Sequence, residues 1–295
     1  MEDSRKSSQI SLNIFFTVLS IIFIIPLVIL FSASFSSEQD ILIYGYSILP
    51  RHFDLTAYKY VLKDATALLN AYKVTIIFSL TTMVLATLLM SMIAYPLTKK
   101  ELKGRSAISF YLFFTMLFSG GMVPIYILIT QYYHLADNIL VYILPALINP
   151  WYVFMLRTFF AGIPDSISEA ATVDGASEYR IFFTIILPLS KPVLATVALF
   201  TLLVKWNSWM ESMLYINSRD DLISLQYLLQ KIMRDIQFML ESQQSGVGPD
   251  MDMSKIPGET ARMAMAVLVA GPVLVVFPFF QKYFTKGLTV GGVKG

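Results

Sequence analysis

From Ile10 to Ser37 the chain carries no charged side chain over 28 consecutive positions. A helix needs about 20 residues to cross the roughly 30 Å of hydrocarbon in a bilayer, so this stretch is long enough to span a membrane. Five further stretches read the same way: one between Lys73 and Lys99, one between Arg105 and His134, one between Asp137 and Arg157, one from after Lys191-Pro192 to Tyr215, and one between Arg262 and Lys282. The third contains Gly120-Gly121 and Pro124, and the fourth is broken by Pro145 and Asn149-Pro150. Arg5 and Lys6 before the first stretch imitate the basic flank of a signal peptide. The apolar run exceeds the roughly 7–15 residues of a signal sequence, so it reads as a retained anchor. The expectation is an all-α membrane protein with six transmembrane helices.

Composition agrees. Only 14% of residues are charged and the mean hydropathy is +0.65, whereas soluble domains carry about a quarter charged residues. A net charge of +2 gives no case for a nucleic-acid partner. The absence of cysteine excludes disulfides and thiolate metal sites. The two histidines, His52 and His134, both fall in expected loops, which argues against a histidine-based metal centre.

Lys and Arg near short loops set the orientation of such a chain. Arg5 and Lys6, then Lys99, Lys100, Lys103 and Arg105, then Lys282, Lys286 and Lys294 all place the termini in the cytoplasm. The short loop Gln131–Asn138 has neither Lys nor Arg. The whole chain, 1–295, then reads as one membrane domain with a cytoplasmic segment 163–190, a long external loop 217–259 and a cytoplasmic tail 283–295. A polar, Gly- and Asp-containing tract lies within the external loop at Gln243–Ser254.

The segment between spans four and five is the unusual one. Pro164-Asp165-Ser166 followed by Glu169 suggests a helix start with Ser166 and Glu169 as a capping box. Gly175 suits a left-handed turn. A second helical stretch, Ser177–Ile186, is expected to stop before Leu187-Pro188. A plain amphipathic helix lying in the membrane interface would explain the first of these helices. Its spacing goes further: Glu169-Ala170-Ala171, three residues, Gly175, nine residues, Ile185, one residue, Leu187-Pro188. Seven chance matches at ordinary residue frequencies have odds on the order of one in ten million per start position.

This spacing resembles the EAA motif of binding-protein-dependent ABC importer permeases, and the resemblance covers nearly the whole chain. It implies the type I importer permease fold, with the segment as a coupling helix docking on an ATP-hydrolysing subunit. Glu169, Ala170, Ala171, Asp174, Gly175, Ile185, Leu187 and Pro188 would carry that role. The chain has no Gly-x-x-x-x-Gly-Lys-Ser/Thr loop. It is therefore expected to bind no cofactor, with ATP and magnesium bound by partner ATPase subunits and the chain itself non-catalytic. The implied partners are a second permease, two ATPase subunits, an extracytoplasmic solute-binding protein and the lipid of a bacterial inner membrane.

Two further resemblances narrow the family. The tail Lys286–Gly295 is similar to the end of the second permease of the maltose importer, where the tail reaches between the ATPase subunits; Gly287, Leu288, Thr289, Gly291, Gly292 and Lys294 would make that contact. A frayed glycine-rich end is the plainer alternative. Phe118-Ser-Gly-Gly-Met-Val-Pro-Ile-Tyr126 resembles a carbohydrate-importer branch that handles oligosaccharides of complex polysaccharides, some acidic, such as alginate or pectin fragments. The same glycines and proline also suit a simple kink.

Ionisable residues inside a span are candidate functional sites. Lys205 with Trp206, Asn207, Trp209 and Glu211 offers a cation, aromatic faces and amide groups to a sugar. Asn149 and Trp151, beside Pro150, offer a second place on the path. Against this, Lys205 could simply pair with Glu211, and the tryptophans could form an interfacial belt. A solute other than a carbohydrate remains the alternative cargo. An ion-coupled secondary transporter predicts buried mid-membrane carboxylates, which spans one, two, three and six lack. An intramembrane enzyme predicts a nucleophile–base pair or metal ligands, and no histidine lies in a span.

Overall fold

The computed structural model describes residues 2–244 and 257–291, with side chains from 9 to 242 and from 257 to 281. In chain order its α-helices are α1 (Glu2–Ser34), α2 (Glu38–Tyr44), α3 (Thr56–Val61), α4 (Ala65–Ala94), α5 (Arg105–Leu117), α6 (Met122–Ile127), α7 (Leu140–Ile143) and α8 (Pro150–Phe160). They continue with α9 (Asp165–Val173), α10 (Glu178–Ile181), α11 (Leu187–Leu189), α12 (Lys191–Trp206), α13 (Met210–Tyr215), α14 (Leu225–Gln244) and α15 (Glu259–Gly291). Among the described residues the extended pairing is confined to an isolated bridge between Ser36 and Phe53.

Three helical stretches are long and apolar enough to cross a bilayer unbroken: Gln9–Ser34, Ala65–Thr98 and Glu259–Gln281. Three more do so as bent pairs. Arg105–Leu117 and Met122–Tyr132 meet at 113°, Leu140–Ala146 and Pro150–Phe160 at 49°, and Glu178–Leu189 and Lys191–Trp206 at 80°. The breaks have local causes. Gly121 sits at φ +86° before α6, so the Gly120-Gly121 pair makes a sharp kink. Asn149 closes the second break by capping α8: its Oδ1 accepts from the Trp151 N–H at 3.0 Å, with Pro150 at the first helical position.

The fifth span differs from expectation. Its helix stops at Trp206, short of Tyr215. The Asn207 side chain donates to the Leu203 carbonyl at 2.8 Å, and the Ser208 N–H turns back onto the Lys205 carbonyl at 3.0 Å. These local bonds compete with the helical ladder. The stretch 217–259 is likewise more than a loop, because residues 225–244 form α14. Leu225, Leu229 and Ile236 are buried along one side of it, while Lys231, Arg234 and Phe238 are exposed. The Leu225 N–H is received by the buried Thr75 hydroxyl at 2.9 Å. Part of the polar tract Gln243–Ser254, residues 245–254, lies outside the described residues.

The chain divides into two compact units, Met1–Leu68 with Leu228–Pro272, and Leu69–Tyr227 with Val273–Gly295. In the first, Glu38 is nearly buried at 9% exposure. Its carboxylate accepts from the backbone N–H groups of Glu259 and Thr260 at 2.8 and 2.9 Å and from the Thr260 hydroxyl at 2.6 Å. A carboxylate from a distant segment thus caps the N-terminus of the last long helix, where orphan donors and the helix dipole both favour an anion. Glu38→Ala should leave those donors unpaired at a cost of about 1–3 kcal/mol. The measurement is thermal unfolding of the detergent-purified chain. Glu38→Ala should lower the midpoint and Glu38→Gln should lower it less; an unchanged midpoint in Glu38→Ala would refute the capping role.

Candidate functional site

The insert between the fourth and fifth stretches is built in the second unit on an apolar cluster. Tyr95 and Leu97 supply it from the end of α4, Val153, Leu156 and Phe160 from α8, and Val193 and Val197 from α12. Ile181, Phe182 and Ile186 enter it from the insert, at 0%, 4% and 3% exposure. Each such side chain contributes about 1.5–3 kcal/mol relative to exposure in water. Ala171 and Ala176 pack against the same cluster.

Helix α9 begins two residues earlier than the capping-box reading placed it. Pro164 occupies the cap position at φ −58° with no side-chain bond, and its carbonyl accepts from the Ile167 N–H at 3.2 Å. Ser166 is therefore inside the helix and forms no capping box. The C-terminal turn is as expected. Gly175 is left-handed at φ +78°, the Ala176 N–H reaches back to the Ala171 carbonyl at 2.9 Å, and the Gly175 N–H to Thr172 at 3.0 Å. This pair of bonds is a Schellman motif, with Ala176 and Ala171 as its apolar contact. Ser177 then caps α10, its hydroxyl accepting from the Arg180 N–H at 3.4 Å.

The second stretch does not stop at Pro188. It widens into a π-helical turn at Phe182–Ile186 and continues to Leu189. The wider turn carries the Leu187 N–H to the Phe182 carbonyl, so the N–H that Pro188 lacks is absorbed without ending the helix.

The motif residues fall into two groups. Glu169, Ala170, Asp174 and Gly175 are exposed, and Val173 beside them is 87% exposed. Ala171, Ile185 and Leu187 face the apolar cluster, and Pro188 is exposed at the π-turn. The insert thus presents a thin ridge with a bare valine between two carboxylates, supported from behind by its own aliphatic residues. Sequence reasoning missed Val173, Tyr95 and Glu178. Tyr95 stands just before Lys99 and Lys100 at the end of a span, which reads only as an ordinary interfacial aromatic.

At the break after α12 the structure gathers the other candidates. Lys205 is buried at 5% exposure and pairs with Glu211 at 2.8 Å. Ser208 donates to the second oxygen of Glu211. Trp206 is buried, tilted against Tyr72 at a ring separation of 6.4 Å. Asn207 is exposed, its Oδ1 accepting from Gln226 at 2.9 Å, and Trp209 is partly buried. The internal ion pair is therefore present. Asn149 and Trp151 stand at the separate α7–α8 break, where Trp151 is 64% exposed. Of the tail candidates, Gly287, Leu288, Thr289 and Gly291 continue α15 as helix, while Gly292 and Lys294 lie outside the described residues.

Apolar helices, three unbroken and three in bent pairs, mark a multi-pass membrane protein. No family model matches the chain. It is 35% identical over 284 residues to the polygalacturonan/rhamnogalacturonan transport system permease protein YtcP of Bacillus subtilis, covering 95% of this chain and 96% of that one. It is 36% identical to the protein LplC of the same organism, over 92% and 90% of the two chains. The crystal structure of a bacterial ABC transporter involved in the import of the acidic polysaccharide alginate superposes with a TM-score of 0.75 at 29% identity, covering 95% of this chain and 98% of that one. The chain belongs to the permease subunits of carbohydrate ABC importers.

The Lys205–Glu211 pair yields a test of structure against transport. Removing one member of a buried pair costs about 3–5 kcal/mol. Lys205→Met should sharply reduce folded yield in membranes, and Lys205→Met with Glu211→Leu should restore it. If Lys205→Met alone folds at wild-type yield and loses only uptake of an anionic sugar, the residue serves the cargo instead.

Proposed function

We propose that this chain is one of two permease subunits of an importer for acidic oligosaccharides, seated in the bacterial cytoplasmic membrane with both termini inside. The observation that carries the coupling part of this reading is the outward ridge of Glu169, Ala170, Val173, Asp174 and Gly175 on a Schellman-closed helix. A small-residue helix with a bare valine and flanking carboxylates suits a groove on an ATPase subunit that has an apolar floor and cationic or N–H donors at its rim. The chain would be non-catalytic and bind no cofactor. ATP and magnesium would be held by two ATPase subunits, and an extracytoplasmic binding protein would deliver the sugar near residues 217–259. The contact made by the tail from Gly287 to Lys294 belongs to the same proposal.

An acidic cargo is supported by the kind of proteins the chain is similar to: one named for polygalacturonan and rhamnogalacturonan transport, another for alginate import. Within the chain, residues around Lys205 and around Asn149 remain the candidate path. Paired as it is with Glu211, Lys205 would act on an anionic sugar only by exchanging partners, and exposed Trp151 and Asn207 are freer to meet it.

The test has two arms. A cysteine at Ala170, exposed on the ridge, should crosslink to a cysteine in the ATPase groove in membranes; this chain has none of its own to interfere. Uptake into proteoliposomes should favour an oligogalacturonate or oligoalginate over a maltooligosaccharide of equal length. Wild-type transport after Gly175→Asp, with no crosslink at position 170, would overturn the docking role. Preferential uptake of the neutral sugar would overturn the acidic cargo and leave the docking role standing.

A further inference from the structure

One side chain connects the end of a membrane-spanning helix to the second helix of the insert. Tyr95 lies immediately after the last residue of α4 and is buried at 7% exposure. Its hydroxyl donates to Oε2 of Glu178, the first residue of α10, at 2.8 Å. Its ring packs on Phe182 of the π-turn at 5.3 Å, and the Lys99 ammonium lies 5.1 Å from the ring centroid.

These contacts differ in what they can transmit. The apolar cluster holds the insert against α4, α8 and α12 without a preferred direction, because dispersion contacts are individually weak and tolerate sliding. A hydrogen bond to a carboxylate is stronger than a neutral one and fixes distance and angle. Among the described residues of the cluster, Tyr95 is a fully packed side chain that also makes such a bond, and it makes it to the insert. A push on the exposed ridge, at Glu169 to Asp174, therefore reaches α4 through the closed turn at Gly175 and the Glu178 carboxylate held by the Tyr95 hydroxyl.

We propose that Tyr95 is a positioning residue that fixes the register between the insert and α4, so that displacement of the docked insert moves the second span. This rests on the reading that the insert docks on an ATPase subunit. The chemistry separates the hydroxyl from the ring. Tyr95→Phe keeps the packing and removes the bond. Glu178→Gln keeps an acceptor oxygen, and Glu178→Ala removes it.

The experiment uses the full transporter, with partner permease, ATPase subunits and binding protein, in proteoliposomes. Because the chain lacks cysteine, an environment-sensitive thiol probe at Val84, exposed on α4, reports on the second span alone. Trapping with ATP and vanadate should change the probe signal in otherwise wild-type protein. Tyr95→Phe and Glu178→Ala should each cut that change by about fivefold, the low end of ordinary coupling between sites. The double variant should do no worse than either, and Glu178→Gln should stay near wild type. ATP hydrolysis and the crosslink at Ala170 should persist in all of them. A full signal in Tyr95→Phe, or no signal change in wild type, overturns the proposal. Loss of the crosslink in otherwise wild-type protein overturns the docking reading itself.

Discussion

The seating of a thin helix on a small apolar cluster is the constraint from which the rest of this molecule follows. Ala171 and Ala176 can approach the ends of α4, α8 and α12 because neither has a side chain beyond Cβ, and the Schellman turn at Gly175 brings the two together. Ile181, Phe182 and Ile186 then fill the cluster from the following helix. With the apolar side satisfied inward, Glu169, Val173 and Asp174 are left facing out. A bulkier residue at position 171 would lift α9 off its seat. A β-carbon at 175 would meet no neighbour but would be forced into the left-handed region, which disfavours L-residues by roughly 1–2 kcal/mol.

This seat gives the motif a physical division of labour. Its glutamate, first alanine and glycine belong to the outer ridge, while its second alanine, isoleucine and leucine hold the ridge in place. The π-turn is the adjustment that allows both. It keeps Ile186 and Phe182 on the buried side while the chain passes Pro188 and bends by 80° into α12. In the proposed coupling, motion imposed on the ridge would be delivered to packed helices, with the Tyr95–Glu178 bond giving that delivery a direction.

Much of this was legible in the sequence because the strongest signals are chemical necessities of the bilayer. Apolar stretches of sufficient length had to become helices: three recur unbroken and two recur bent where Gly120-Gly121 and Asn149-Pro150 announce a break, while the fifth is long enough only together with Glu178–Leu189 of the insert. Gly175 was readable as a left-handed turn. The failures have two causes: at the insert and after Trp206 a competing local signal decided the fold, and at Glu38 the partner is far away in sequence. Ser166 looked like a cap, but Pro164 already starts the helix. The run through Trp206 to Tyr215 looked continuous, but Asn207 and Ser208 turn the chain and Lys205 pairs with Glu211 across the turn. Nothing in the region around Glu38 signals that it caps a helix beginning at Glu259, whereas α14 was legible in principle, since Leu225, Leu229, Ile232, Ile236 and Leu240 recur at helical spacing.

The central claim is that the insert moves as one piece with the helices that seat it. Spin labels at Val173 on the ridge and Thr158 on α8, both exposed, measure this directly by pulsed electron resonance in the assembled transporter. The account predicts one distance between them, the same in the nucleotide-free and vanadate-trapped states. A change of about 5 Å, one helical turn, would contradict it by showing that the insert swings free of its seat.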